Sequence, residues 1–133
     1  MFTIAVCDDD MQERMQEVQI IKNIFSQKEL EAGIEEFQTG QHFLDVLHRV
    51  PYDIVLLDIQ MGEVSGFTLA EELYKITGGE NIIFVSSMEN LVFESIHFRP
   101  FRFVRKSHLE EELTEAVESW IQQNTKTECL EFD

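Results

Sequence analysis

The sequence has few basic residues and no long apolar segment. Lysine and arginine number 10 against 26 aspartates and glutamates, which gives a formal net charge of −16 at pH 7. A surface of this sign repels phosphate backbones, so we expect no nucleic acid binding by this chain alone. No apolar run approaches the roughly 20 residues that cross a bilayer, and we expect no membrane association.

Cysteine is also scarce. Cys7 and Cys129 have no metal-ligand spacing, and so few cysteines are typical of a reducing compartment. Cys7 lies in an apolar run, where we expect it to act as a small hydrophobic residue. The N-terminal segment has no basic region and becomes acidic at once, so it does not resemble a signal peptide. We therefore expect a cytoplasmic protein.

Apolar, strand-like segments alternate along the chain with helix-like segments. The strand-like segments cover residues 2–7, 34–37, 54–58, 81–86 and 101–105. This alternation predicts an α/β fold in which a doubly wound parallel sheet is built from five strand–helix units, (βα)5. The length of 133 residues suits one domain of ordinary size.

The polarity of the strands predicts their order in the sheet. The first, third and fourth strands are almost entirely apolar and belong in the middle. The second carries Glu35 and Glu36 and the fifth carries Arg102 and Arg105, which suits edge positions. With right-handed crossovers, this arrangement predicts the 2-1-3-4-5 order of flavodoxin-like folds.

The spacing of apolar residues also predicts which helix faces are buried. The second and third helices are predicted to begin at residues 39–40 and 65–66. The first helix should end by Gly33, with an apolar face made of Met11, Met15, Val18, Ile21 and Phe25. The fourth helix is predicted at residues 88–97, and three aromatic residues are expected in the core: Phe93, Phe98 and Phe101. Any of these left exposed would mark a dimer or partner surface.

Carboxylates follow two strands that the predicted order makes neighbours. Asp8 and Asp9 end the first strand and Asp58 ends the third, so all three reach the carboxyl edge of the sheet at its switch point. Each could instead cap a helix, because Asp is favoured before helices. Two unit charges about 4 Å apart repel by roughly 4 kcal/mol at an effective dielectric of ~20. Either one carboxylate is protonated or a hard divalent ion such as Mg²⁺ binds.

Two further side chains are predicted at the same edge. Ser86 ends the fourth strand and Lys106 follows the fifth. Taken singly, Ser86 suits a cap and Lys106 a surface charge, but together with Asp58 they form a phosphoryl-transfer site. Asp58 would attack phosphorus, Mg²⁺ would neutralise the equatorial oxygens, and Ser86 and Lys106 would hold the other oxygens.

An ordered series of residues runs through this predicted site: Asp8, Asp9, Asp58, Gly66 eight residues later, Ser86, and Phe103 three residues before Lys106. By this series the chain resembles the receiver domain of bacterial two-component response regulators over residues 2–123. The resemblance implies that a sensor histidine kinase phosphorylates Asp58, forming an aspartyl phosphate. It also implies a signalling phosphoacceptor, which catalyses only its own phosphorylation and dephosphorylation, rather than an enzyme.

The resemblance assigns further roles. Asp9, Asp58 and the carbonyl of Gln60 would bind Mg²⁺ directly, while Asp8 would act mainly through water. Ser86 would move toward the phosphoryl group and Phe103 would turn inward behind it. This switch would remodel the face made by helix four, strand five and helix five, and it would allow a homodimer to form on phosphorylation.

The chain departs from the family pattern at two loop positions, and in addition Phe103 lacks a tyrosine hydroxyl, so any switch through it would be steric. Gly62 stands where many members have proline, which predicts a looser loop after Asp58. Ser107 replaces the proline that usually follows the lysine, where members often have a cis bond. We expect a trans bond between Lys106 and Ser107, because a cis bond before a residue other than proline costs ~2.5–4 kcal/mol.

The stretch at residues 99–108, RPFRFVRKSH, resembles regulators of the AgrA-like subgroup, whose output is a LytTR-type DNA-binding domain that regulates transcription. We therefore expect a receiver domain at residues 1–123. Residues 124–133 would be a linker or the start of an absent output domain, with a strand-like stretch at 128–132. A disordered end is the alternative.

Two other functional classes are weighed against a signalling receiver. A small phosphatase of the haloacid-dehalogenase type also uses an Asp nucleophile, but Gln12 stands where that class has Thr or Val and the chain is short for a cap domain. A phosphate-independent interaction module would have a vestigial pocket, whereas every expected pocket side chain is present.

Overall fold

The structure is a computed structural model that describes residues 1–131, with side chains described for residues 1–125. The strands are β1 (Phe2–Cys7), β2 (Ala32–Phe37), β3 (Ile54–Asp58), β4 (Ile82–Ser86) and β5 (Arg102–Arg105). The helices are α1 (Met11–Gln27), α2 (Gly40–Val46), α3 (Gly66–Thr77), α4 (Val92–Ile96) and α5 (Leu109–Glu131). Short 3₁₀ turns lie at Glu89–Leu91 and Lys106–His108.

The strands form one parallel sheet in the order β2-β1-β3-β4-β5, which confirms the flavodoxin-like (βα)5 prediction. The register pairs Cys7 with Leu57, and it pairs Asp58 with Val85. The carboxyl ends of β1, β3 and β4 are therefore level with one another. This alignment brings the residues that follow these strands to one edge of the sheet.

Both faces of the sheet are covered by helices. Successive residues of a central strand alternate between the faces, as a strand buried on both sides requires. In β3, Ile54 and Leu56 belong to the core shared with α1 and α5, whereas Val55 and Leu57 belong to the core shared with α2 and α3. All of these side chains are buried, so the end of β3 is fixed from both sides.

Polar side chains cap the helices that follow the sheet. The Thr39 hydroxyl accepts a hydrogen bond from the His42 N–H, and the Ser65 hydroxyl accepts one from the Thr68 N–H. These caps confirm the predicted starts of α2 and α3. At the other end of α3, Gly78 has a φ of 74°, a left-handed conformation that favours glycine.

The first helix begins at Met11 as predicted, but Gly33 does not end it and its buried face differs from the prediction. It ends at Gln27, and a left-handed Glu29 with a φ of 55° turns the chain before Gly33, which lies inside β2. Met11 and Met15 are exposed rather than buried. Their expected place is taken by Arg14 and Glu17, because this end of α1 faces the polar carboxyl edge of the sheet.

The fourth helix is shorter than predicted. Residues 88–97 form a 3₁₀ turn followed by the five-residue α4, and Ser95 occupies the buried position of that helix. Phe93 points to solvent and is 82% exposed, so its core assignment is wrong. Phe98 stacks on Phe67, and Phe101 packs against the α1 and α5 core, so both are partly buried as expected.

The last helix runs further than the sequence pattern suggests. α5 continues to Glu131, so residues 128–131 are helical rather than strand-like, and residues 132–133 lie outside the described part of the chain. No glycine or proline interrupts residues 109–131, so nothing in the sequence stops the helix from continuing. None of the described helices is long and apolar enough to cross a membrane. The division at residue 123 stays a prediction.

Candidate functional site

Two buried carboxylates face one another at the carboxyl edge of the sheet. Asp8 is fully buried and Asp58 nearly so. One oxygen of each is held by the main chain: Asp8 Oδ1 accepts from Asp10 N at 3.0 Å, and Asp58 Oδ1 accepts from Gln60 N at 3.3 Å. The other oxygen of each carboxylate is directed to a common point between the two strands.

Lys106 occupies that point. Its Nζ lies 3.3 Å from Asp8 Oδ2 and 3.3 Å from Asp58 Oδ2, and it also forms an ion pair with Glu13 Oε2. Burial alone lowers the pKa of Lys106, but the contacts with Glu13, Asp58 and Asp8 outweigh it and raise the pKa above its usual value. The ammonium is therefore charged at neutral pH.

Glu13 is a site residue that the sequence interpretation missed. Carboxylate oxygens of Asp8, Glu13 and Asp58 all lie within 4.8 Å of one another. A sequence signal was present: Asp10 caps α1, which puts Glu13 in the first turn at the position three residues after the cap. In that first turn, α1 brings its side chain back over the end of β1.

The charge of Asp58 depends on opposing effects. Burial raises the pKa of Asp58 to about 7, Lys106 lowers it, and the charge of Asp8 raises it. Without the lysine, two carboxylates so close together in a buried site would not both be ionised. The ion pair therefore keeps available the anionic form that nucleophilic attack or metal binding requires.

A second acid, Glu17, lies buried next to Asp8. Burial and the interaction with the adjacent Asp8 carboxylate raise the pKa of Glu17 to about 10, so it is protonated at neutral pH. Within residues 1–125, Glu17 Oε2 and Asp8 Oδ2 accept no conventional hydrogen bond. Burial likewise raises the pKa of the Cys7 thiol, which fits its predicted role as a small hydrophobic residue.

Arg14 holds the main chain at Asp8, at the end of β1. Its Nη1 donates to the carbonyl of Asp8 at 2.7 Å and its Nε contacts Glu36 Oε1 at 3.1 Å. The side chain is almost completely buried, so the guanidinium joins α1, the end of β1 and β2. An arginine with these contacts stabilises a main-chain carbonyl directly behind the buried carboxylate.

The other predicted site residues lie around this centre in different ways. Asp9 is exposed and does not belong to the carboxylate group. Ser86 is buried, and its hydroxyl accepts from Met88 N at 3.0 Å. The Gln60 side chain contacts Met88 Sδ at 3.0 Å, and Phe103 is partly buried opposite Phe84. The structure thus brings Asp8, Asp58 and Lys106 together, while Asp9 would have to turn inward to join them.

Two glycines shape the loop after Asp58. A Cβ on Gly66 would lie 2.8 Å from the Cα of Ile59 and would also overlap the Asp58 carbonyl, so only glycine allows α3 to begin this close to β3. Gly62 has a φ of 63°, which proline cannot adopt because its ring holds φ near −65°. The departure from the family proline is therefore a change of loop conformation. All described peptide bonds, including Lys106–Ser107, are trans as predicted.

The donor set fits a hard divalent cation. Three carboxylates face one ammonium, so the site keeps a net negative charge, and Asp8 Oδ2 is buried without a hydrogen-bond donor in the described residues. Oxygen ligands of this kind suit Mg²⁺, which keeps several waters and takes one or two carboxylates.

A flavodoxin-like sheet with an acidic pocket at its switch point is the architecture expected of a receiver domain. The chain matches the family model of the response regulator receiver domain over residues 4–118, and it therefore belongs to that family. Among curated proteins it resembles the sensory transduction protein LytR of Staphylococcus epidermidis, with 24% identity over 91 residues. That match covers 66% of this chain and 36% of LytR, so the chain spans about a third of the relative's length.

Solved structures share the fold at low identity. The response regulator DrrB of Thermotoga maritima gives a TM-score of 0.73 at 21% identity, over 93% of this chain and 54% of DrrB. TrrA of Thermotoga maritima, solved in complex with Mg²⁺-BeF, gives 0.74 at 24% identity over 90% of this chain and 99% of TrrA. A CheY-like receiver domain of Methanospirillum hungatei gives 0.76 at 20% identity over 95% and 98% of the two chains.

Proposed function

We propose that Asp58 accepts a phosphoryl group from a phosphorylated histidine of a sensor histidine kinase and thereby switches an output domain. The observation that carries this proposal is the convergence of two buried carboxylates on one ammonium. Asp8 Oδ2 and Asp58 Oδ2 lie at equal distances of 3.3 Å from Lys106 Nζ. Membership of the receiver family supports the same role for the acidic pocket.

The proposed chemistry is a nucleophilic displacement at phosphorus. An oxygen of Asp58 forms the new P–O bond while the P–N bond of the phosphohistidine breaks and its electron pair returns to the imidazole. Lys106 binds an oxygen of the transferred group, and Ser86, at the end of β4, binds another. Lys106 also lowers the pKa of Asp58 and so favours the anion that attacks.

The residues that would hold Mg²⁺ are those that the family resemblance implies. Asp9, Asp58 and the Gln60 carbonyl would bind the ion directly, and Asp8 would act through water. The ion, when bound, would supply positive charge opposite the phosphoryl oxygens. The complex of TrrA with Mg²⁺-BeF supports this choice of metal by analogy. Asp9 must rotate inward for this arrangement, and its side chain is exposed in the resting state.

The switch would act through Ser86 and Phe103. We infer that Ser86 moves toward the phosphoryl group, breaking its hydrogen bond from Met88 N, and that Phe103 turns inward behind it. Phe103 lies in a groove bordered by Val92 and Glu112, so its rotation would change the face formed by α4, β5 and α5. Phenylalanine has no hydroxyl, and this switch is therefore steric.

The partners follow from the exposed surfaces and from the relatives. Phe93 on α4 offers an apolar contact for a homodimer formed on phosphorylation, because a large exposed aromatic marks an interaction surface. Residues 99–108 support an AgrA-like receiver with a LytTR-type output domain that regulates transcription, and the similarity to the sensory transduction protein LytR is consistent with that subgroup. The acidic receiver itself would not bind nucleic acid. We infer that the protein acts in the cytoplasm, where a kinase of this kind has its phosphohistidine.

The experiment is incubation of the chain with Mg²⁺ and acetyl phosphate as a small acyl-phosphate donor. We expect one acid-resistant phosphoryl group per chain, absent from Asp58→Asn. The matched control is Asp45→Asn, which removes one exposed carboxylate from α2 and should be labelled like the wild-type chain.

Each alternative function predicts a different result. Catalytic turnover of phosphate esters, lost in Asp58→Asn, would identify a small Asp-nucleophile phosphatase. Absence of labelling in the wild-type chain would leave a phosphate-independent interaction module. Labelling that persists in Asp58→Asn would show that another residue is the acceptor.

A further inference from the structure

We propose that Glu13 is a positioning residue that holds Lys106 in the resting state and must release it when a phosphoryl group binds. The inference rests on the proposed function, because it concerns the lysine that would bind the transferred group. Glu13 does not belong to the ordered series of residues by which the chain resembles the family. It is assigned by its contact with Lys106 and by the way α1 begins.

The start of α1 makes Glu13 available for this contact. Asp10 caps the helix by accepting from Glu13 N at 3.0 Å. A Glu at this position usually completes a capping box by accepting from the cap residue's own N–H. Here the Asp10 N–H donates to Asp8 Oδ1 instead. The Glu13 carboxylate is left without its usual local partner and extends across to Lys106, 93 residues away in sequence.

Three carboxylates surround the ammonium of Lys106 in the resting state: Asp8, Asp58 and Glu13. Lys106 forms an ion pair with each of them, and it also donates a hydrogen bond to Glu13. An oxygen of an incoming phosphoryl group can take the N–H that is directed at Glu13 only if Glu13 withdraws. The resting site is therefore closed by its own acidic residues.

Exposure decides which carboxylate withdraws. The Asp8 side chain is 0% exposed and the Asp58 side chain 5% exposed, so neither can exchange the lysine for water at small cost. The Glu13 side chain is 41% exposed and can be hydrated as soon as it leaves. A partly exposed ion pair of this kind contributes little stability, so its loss is readily compensated by the phosphoryl contact.

The test is the rate of phosphorylation by acetyl phosphate at saturating Mg²⁺, compared between the wild-type chain and Glu13→Gln. Glutamine keeps the size of the side chain and removes the charge that holds Lys106. We expect the labelling rate to rise about two- to fivefold, which corresponds to the usual strength of a partly exposed ion pair. Saturating Mg²⁺ removes any contribution of Glu13 to metal affinity. An unchanged or lower rate would overturn the proposal.

The control is Glu80→Gln, which makes the same charge change beside the start of β4, at the opposite edge of the sheet. It should leave the labelling rate unchanged. Both variants should unfold at temperatures close to that of the wild-type chain, because both side chains are at least partly exposed. A rise in rate of the same size in Glu80→Gln would show an effect of net charge alone and would overturn the assignment.

The dependence on salt distinguishes a direct contact between Glu13 and Lys106 from long-range repulsion between Glu13 and the anionic acetyl phosphate. Such repulsion is screened at high ionic strength, where the Debye length falls to about 3 Å at 1 M. A direct ion pair in a partly buried site is screened much less. We expect the ratio of the Glu13→Gln rate to the wild-type rate to persist at 1 M salt, and a ratio that falls to one would contradict the proposal. If the wild-type chain is not labelled at all, the proposed function itself has failed.

Discussion

At the scale of single residues, neighbouring acids in this site are held in different protonation states. Burial raises the pKa of Asp58 to about 7 and the pKa of Glu17 to about 10. Lys106 contacts Asp58 and favours its anion, whereas burial and the neighbouring charge of Asp8 favour the protonated form of Glu17. Environments that separate the pKa values of close carboxyl groups divide their roles. Asp58, the proposed nucleophile, can therefore be anionic near neutral pH, whereas Glu17 beside Asp8 stays a neutral acid.

Glu17 should make the metal-free protein less stable as pH rises. Its pKa is about 10 in the folded chain against an ordinary value of 4.5, so the folded state binds more protons between these limits and stability falls with increasing pH. Above pH 7.5 Asp58 adds little to this pH dependence, because its pKa in the folded chain is about 7 and it is then largely ionised in both states. The buried Cys7 thiol adds a similar loss only near and above its ordinary pKa of 9.0, where the thiol of the unfolded chain ionises. Between pH 7.5 and 8.5 we therefore expect Glu17 to cause a loss of up to about 1.4 kcal/mol per pH unit.

Thermal or urea unfolding in the presence of a chelator checks this prediction. Glu17→Gln should be more stable than the wild-type chain at pH 8 and nearly independent of pH across the same window. Exposed Glu31→Gln is the matched control and should keep the wild-type slope. Parallel pH profiles for the wild-type chain and Glu17→Gln would show that Glu17 is not protonated in the fold.

At the scale of elements, the strands and capped helices could be predicted from local sequence, but the length and the buried face of α4 could not. Buried strands are continuous apolar runs, and Thr39 and Ser65 are ordinary caps, so short-range chemistry determines these elements. The region at residues 88–97 has apolar residues at helical spacing, yet only five residues form α4 and Phe93 is exposed. Whether Phe93 is buried depends on how α4 lies against the sheet, and the spacing of apolar residues does not determine this.

The junction between β3 and α3 should not tolerate a side chain at Gly66. In Gly66→Ala the new Cβ would lie 2.8 Å from the Cα of Ile59 and would overlap the Asp58 carbonyl, so α3 must move away from β3. Overpacking of this kind costs about 1–3 kcal/mol. We expect a lower free energy of unfolding, measured by urea titration, together with slower labelling by acetyl phosphate because Asp58 shifts.

The nearby glycine at position 62 provides the contrast. Nothing lies within 4 Å of a Cβ placed there, and the residue needs only a positive φ of 63°. Asparagine tolerates that conformation, so Gly62→Asn should stay close to the wild-type stability and labelling rate. Equal behaviour of Gly66→Ala and Gly62→Asn would indicate that α3 can adjust without disturbing Asp58.

At the scale of the whole molecule, topology explains why the centre of the site was predictable and its periphery was not. Strand polarity gave the sheet order, and the order places the ends of β1, β3 and β5 around one point, where Asp8, Asp58 and Lys106 meet. The contact of Glu13 with Lys106 joins the first turn of α1 to the end of β5. This contact depends on the rotation of α1 about its own axis, and no sequence pattern specifies that rotation. For the same reason the exposed position of Asp9 was not foreseen.

Metal binding should stabilise the whole fold and depend on Asp9. The chain carries a formal charge of −16, so any divalent cation is attracted to its surface. Only binding at a specific site should depend on which carboxylate is removed. A ligand that binds only the folded state stabilises it by about 2.7 kcal/mol at 100 times its dissociation constant. We expect Mg²⁺ to raise the unfolding temperature of the wild-type chain above that in NaCl of equal ionic strength. In Asp9→Asn most of this increase should be lost, because one hard ligand is removed.

Asp45→Asn has the same net charge and should keep the full increase. If Asp9→Asn responds to Mg²⁺ as strongly as Asp45→Asn does, the side chain of Asp9 remains exposed in the bound state, and Asp8, Asp58 and Glu13 hold the ion without it.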